Sequence, residues 1–206
     1  MLYVPESYSP YGAILGIDPG TETLGIASIE YDYRTFEIRG SEARTFKGSK
    51  LNQDNWVEEV HGSRFARIRA HCENLARILR LVNPDHIVSE SPFVSRAHPQ
   101  AGLALTELIM SLKWTVFEWN PTISIEFIDP PSVKNAVGAK GNADKFAVRG
   151  RVLSMPEFRY AGRVPIDELD EHSIDALAVS YSAYLAIKKY RAMWWNGVSL
   201  ESLQRS

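Results

Sequence analysis

The chain has 206 residues, 45% of them hydrophobic and 23% charged, with a formal net charge of -2; it is a globular composition without a global basic signal. Cys72 is the only cysteine, which excludes internal disulfides and a cysteine-rich zinc site and suits a reducing compartment. No apolar run is long enough to span a bilayer and the start lacks a basic leader, so the expected location is the cytoplasm.

Residues 1–11 are polar and proline-bearing, an irregular lead-in. AILGID (13–18) is an apolar strand that ends on a carboxylate before the turn Pro19-Gly20. LGIASIEYD (24–32) is its return strand, and FEIRG (36–40) and EARTF (42–46) extend the meander. Residues 48–56 are expected as a loop. From Val57 to Val82, Phe65, Ile68, Cys72, Leu75, Leu79 and Val82 recur at helical spacing, and Asn83-Pro84-Asp85 stops the helix. The arginines on its other surface are a phosphate-facing strip or merely its wet side.

HIVSE (86–90) is a buried-type strand that again ends on a carboxylate. Gln100 to Trp119 is a second long helix and ISIEFI (123–128) a further strand. Short helices are expected over 131–137 and 143–153, around a glycine-bearing loop. His172 to Tyr190 is expected as an amphipathic helix, and 191–206, with Trp194 and Trp195, as a tail. The order implies an α/β fold, a mixed five-stranded sheet with helices on both faces, in one domain over 12–190.

Three acids stand where chemistry can use them: Asp18 and Glu90 at strand ends, and Asp175 in the first turns of the last helix. Ligands of open sheets gather beyond strand ends. Three carboxylates brought together repel one another, and hard divalent cations such as Mg²⁺ or Mn²⁺ offset that repulsion. Two such ions, roughly 4 Å apart, suit phosphodiester hydrolysis. Taken singly, each acid is equally a turn residue, a solvated strand end or a helix-start charge.

Their order is more specific. GIDPGTETLGIA (16–27), IVSESPF (87–93), DPPSVKNAVGAKGNADKFAVRGRV (129–152) and DEHSIDALAVSYSAY (170–184) resemble, in sequence, the four motifs of the RuvC family of the RNase H-like superfamily. The resemblance implies an RNase H-like nuclease domain and a homodimer that cuts four-way (Holliday) DNA junctions symmetrically. It implies a metal-activated attack on the phosphate, leaving 5′-phosphate and 3′-hydroxyl ends. Asp18, Glu90 and Asp175 fall on its catalytic, metal-binding acids, with two Mg²⁺ or Mn²⁺ ions per site. The closing motif usually carries two aspartates three residues apart; here the pair is His172 and Asp175, so His172 is expected as the fourth metal or catalytic group. Asp170 or Glu171 is expected to cap that helix.

Between Pro131 and Val152, Lys134, Lys140, Lys145, Arg149 and Arg151 face a single acid, Asp144. Read alone, this is a solvated helix surface. By resemblance, Lys134 and Lys145 contact DNA near the scissile phosphate, with Lys140 and Arg149 beside them, and Phe93 projects toward the junction centre to stack on bases. Expected partners are branched DNA and a branch-migration or packaging machine. Other readings are a RuvC-like nuclease of relaxed specificity for flaps or forks, a non-catalytic module that binds branched DNA, and an actin-like nucleotide-binding domain. The last usually needs a second phosphate loop, for which the chain has no candidate.

Overall fold

The first strand sets the architecture. β1 (Tyr11–Pro19) pairs antiparallel with β2 (Thr23–Asp32), which pairs antiparallel with β3 (Ile38–Lys47). On its other edge β1 runs parallel to β4 (His86–Glu90), and β4 runs parallel to β5 (Ile125–Ile128). The sheet order is β3-β2-β1-β4-β5, the mixed five-stranded sheet expected. The computed structural model describes residues 10–48, 55–92 and 99–195, apart from the side chains of Asn55 and of 192–195. Phe93, most of the expected 48–56 loop, and the side chains of Trp194 and Trp195 lie outside the described residues.

The helices are α1 (Asn55–His61), α2 (Ser63–Val82), α3 (Pro99–Trp119), α4 (Pro130–Ala136), α5 (Lys145–Leu153) and α6 (Glu171–Trp195). The helix expected from 57 to 82 is two, because Gly62 between them sits at φ 84. That backbone region is open to glycine and strained for other residues. The strand segments 36–40 and 42–46 are instead one strand, β3, reached through a turn in which Asp32 Oδ1 accepts from the amides of Arg34 and Thr35 at 2.7 and 3.0 Å. Asn83 ends α2 in the left-handed conformation, φ 48. Asp85 then ties the start of β4 to β1: its amide donates to the Ala13 carbonyl, and its Oδ2 accepts from the Ala13 amide, both at 2.8 Å.

Strand alternation sorts the core into two layers. Leu15, Ile17, Leu24, Ile26 and Ile87 face α2 and α3, where Leu75, Leu79, Leu108, Leu112 and Val116 pack on them. Ile14, Ala27, Ile29 and Val88 face α6 and the α4–α5 region. α6 is not amphipathic as expected. From Ser173 to Tyr184 only Asp175 is less than fully buried, because the sheet holds one side of the helix and α4 and α5 the other. Its Ser and Ala residues permit that close approach, and Ser180 returns its hydroxyl to the Ala176 and Leu177 carbonyls at 3.0 Å.

Candidate active site

One row of the sheet makes the site. Asp18 of β1 stands opposite Gly25 of β2, and Gly25 opposite Thr45 of β3. β1 and β4 pair Ile17 with Ser89, so Glu90 follows in step with Asp18. Thr45, Gly25, Asp18 and Glu90 thus lie across one face, the face α6 covers, at the end of the parallel strands. The start of α6 docks on this row. Asp170 caps it, its Oδ1 accepting the Ser173 amide at 3.0 Å and the Thr45 hydroxyl. Gly25 leaves room for the helix: a Cβ there would lie 2.2 Å from the His172 carbonyl oxygen. Gly16 does the same a turn later, where a Cβ would lie 2.5 Å from the Ala176 carbonyl oxygen.

His172 therefore projects beside Asp18. Its Nδ1 is 2.8 Å from Asp18 Oδ2, and its Nε2 is 2.8 Å from Thr23 Oγ1. The ring is half-buried, and the Asp18 hydrogen bond raises its pKa against the opposing effect of burial. Glu90 is pushed up to about 7, by burial first and then by the Asp18 and Asp175 carboxylates. Asp175 is pushed up to about 6 by burial and then by Asp18. Asp18 and Asp175 therefore lie close enough to Glu90 to oppose its ionisation, and Asp18 close enough to Asp175 to oppose that of Asp175, the electrostatic signature of convergence.

That repulsion is the test of whether the site suits a divalent ion. Glu90 and Asp175 are partly buried carboxylates with raised pKa values, hard oxygen donors short of positive charge, and the donor set fits Mg²⁺ or Mn²⁺. Among the described residues, no three such side chains already close on one point as a formed metal cage. Both ring nitrogens of His172 are engaged within the protein.

The basic segment is more occupied than its composition suggests. Lys134 donates to the Ala143 carbonyl at 2.7 Å and so braces the loop between α4 and α5. Arg149 donates to the carbonyls of Asp167 and Leu169. Lys145 pairs with Glu171; partial burial pulls its pKa down, but the Glu171 carboxylate outweighs this and leaves it raised. Lys145 and Lys134 both pull down the pKa of Glu90, so their charges reach the carboxylate centre. Lys140 and Arg151 are exposed. On α2, Arg64 pairs with Glu107 at 3.2 Å, Arg67 with Glu22 at 3.1 Å and Arg69 with Glu73 at 2.8 Å, so much of that strip is spent on ion pairs. Thr23 and Gly25 were not legible as site residues. Each gains its role from a partner roughly 150 positions away, and no local spacing announces it.

A mixed sheet in this order, with acids at adjacent strand ends and a further acid on the helix that crosses them, defines an RNase H-like domain. No family model matches the chain. It is 29% identical over 154 residues to the crossover junction endodeoxyribonuclease RuvC of Chlamydia caviae, an alignment covering 70% of this chain and 79% of the relative. The solved structure of Thermus thermophilus RuvC superposes with a TM-score of 0.61 at 19% identity, over 86% of this chain and 96% of that one. T. thermophilus RuvC in complex with a Holliday junction substrate gives 0.61 at 17% identity, over 85% and 96%. The chain is thus similar in sequence to RuvC proteins and shares the fold of T. thermophilus RuvC.

Proposed function

We propose that this protein is a metal-dependent endonuclease that resolves four-way DNA junctions by paired phosphodiester hydrolysis. The observation that carries the reading is the placement of Asp18 and Glu90 in step at adjacent strand ends, under the start of the helix that bears Asp175, in a chain whose relatives are named crossover junction endodeoxyribonucleases. Asp18, Glu90, Asp175 and His172 would hold Mg²⁺ or Mn²⁺, and the ions, when bound, supply Lewis acidity at the scissile phosphate. Lys145 and Lys134 set positive charge beside the acids, and Lys140 and Arg149 extend it along the α4–α5 surface toward the DNA backbone. Phe93, three residues after Glu90, is the candidate for stacking on junction bases.

Paired cleavage needs two sites, and α3 offers a surface for a second copy of this chain. Leu103, Met110, Trp114 and Phe117 are each at least half exposed and lie within about 60° of one another on the helix. Trp114 and Phe117 stack with ring centroids 5.5 Å apart. A self-complementary apolar stripe on a long helix suits a two-fold interface. Trp114→Glu is expected to shift the protein to monomer in sedimentation equilibrium while leaving its circular dichroism intact.

The test of function compares a mobile four-way junction, a flap and a linear duplex with Mg²⁺ or Mn²⁺, with Asp18→Asn as control. Symmetric nicks in two strands of the junction, lost in Asp18→Asn, support the reading. Equal cutting of flap and junction supports a branched-DNA nuclease of relaxed specificity instead. Junction binding without metal-dependent cutting would sink the enzyme altogether.

A further inference from the structure

The His172 ring is gripped at both ends. Nδ1 meets Asp18, and Nε2 meets the hydroxyl of Thr23, each at 2.8 Å. An ionised carboxylate only accepts, so Nδ1 carries the proton; in the neutral ring Nε2 is then bare, and Thr23 Oγ1–H donates to it. Thr23 is well suited to hold that position. It is the first residue of β2, locked in register with Lys47 of β3, and it lies on the same face as Gly25, across which the α6 backbone passes. A β-branched side chain in a strand has few χ1 choices, so the hydroxyl is aimed by the backbone.

The hydroxyl also differs from a carbonyl or an amide in that it can donate or accept. If a divalent ion takes the place of the proton on Nδ1, a neutral ring must carry its proton on Nε2. Thr23 can then turn from donor to acceptor without the ring moving. Partners on the far nitrogen of a ligating histidine fix its orientation and tautomer, and their loss typically costs about 10–100-fold in metal affinity or activity.

We propose that Thr23 is a positioning residue of the centre. Its hydroxyl holds the His172 ring with Nδ1 toward Asp18 and serves both ring tautomers, so that His172 can exchange the Nδ1 proton for a divalent ion in place. With an ion at Nδ1, the proton lost there would pass to solvent and one from solvent would be carried at Nε2, so the ring would keep a single proton and stay neutral. This rests on the metal-centre reading above and deepens it.

Thr23→Val removes the hydroxyl with little change of shape, and Thr23→Ser restores it. Three readouts apply to the full-length protein. In chelator-treated protein, ¹⁵N NMR of the His172 side chain should show one dominant Nδ1–H tautomer in wild type and Thr23→Ser, and a mixture in Thr23→Val. Titration with Mn²⁺ alone, without DNA, should show binding weakened about tenfold or more in Thr23→Val and within about threefold of wild type in Thr23→Ser. Junction cleavage should lose kcat in Thr23→Val by a similar factor, with junction Kd unchanged. A single Nδ1–H tautomer together with wild-type Mn²⁺ affinity in Thr23→Val would overturn the proposal. So would cleavage that survives EDTA yet vanishes in Thr23→Val, since Asp18, His172 and Thr23 also have the connectivity of a hydroxyl nucleophile and its base. If wild type cuts no junction, the functional reading fails, while the NMR and Mn²⁺ measurements still judge Thr23.

Discussion

The two faces of the sheet are built from the same strands and do opposite things. Toward α2 and α3 the strands present Leu15, Ile17, Leu24, Ile26 and Ile87, an aliphatic layer. Toward α6, one residue along in each strand, they present glycines at 16 and 25, a threonine at 45 and the acids Asp18 and Glu90. The period of two in a strand keeps these sets apart without any extra chain. Stability and chemistry are therefore separable here to an unusual degree. A change on one face should be felt mainly in folding, and a change on the other mainly in turnover.

The sharpest way to break that comparison is to neutralise the centre. Asp18→Asn keeps the shape and removes the charge that Glu90 and Asp175 sense. Junction cleavage should fall by about 10³-fold or more, roughly 4 kcal/mol, while the urea midpoint does not fall. A clear drop in that midpoint would show the faces are coupled. The mirror experiment is Leu79→Ala, at a fully buried position between α2 and the sheet. It should cost about 2–5 kcal/mol in chemical denaturation, with cleavage by the folded fraction unchanged within about threefold.

A pH series separates the faces more gently. Folded Glu90 and Asp175 have pKa values of about 7 and about 6, above their ordinary values. The folded state therefore holds protons that the unfolded state has released between roughly pH 4 and 7. In chelator-treated protein, Tm should fall as pH rises through that window. Mn²⁺ should reverse the trend, and Asp18→Asn should flatten it. A Tm that climbs steadily from pH 5 to 8 would contradict the electrostatics described. The smallest effect is expected at Lys140, exposed on the loop before α5. Lys140→Ala should reduce the slope of log K against log salt for junction binding by about 1, with kcat untouched.

The sheet was legible from the sequence because alternation and turn residues are local signals, and so were the strand-end acids. Asn83 was read correctly as a stop. Besides Thr23 and Gly25, three features were not legible, each for a physical reason. Gly62 splits a helix whose apolar spacing runs on through the break, so periodicity alone conceals it. α6 shows polar residues among its buried ones, and only the close approach of sheet and helices turns Ser173, Ser180 and Ser182 into core. The basic segment looked like a free phosphate surface, yet Arg149 and Lys134 spend donors on carbonyls that sequence cannot place nearby. His172 was singled out by its spacing to Asp175, and the contacts it makes are to Asp18 and Thr23, which that spacing does not name.

Gly25 has a meaning for anyone who would move this centre onto another scaffold. The distance from the last helix to the sheet beside Asp18 is set by main chain resting on main chain at a position without a side chain, on the neighbouring strand. It is a hard stop rather than a packed joint. Copying the acids without that stop would leave the helix riding higher by the width of a methyl group, and the carboxylates would no longer meet. A graft should begin with the bare contact and add the acids second.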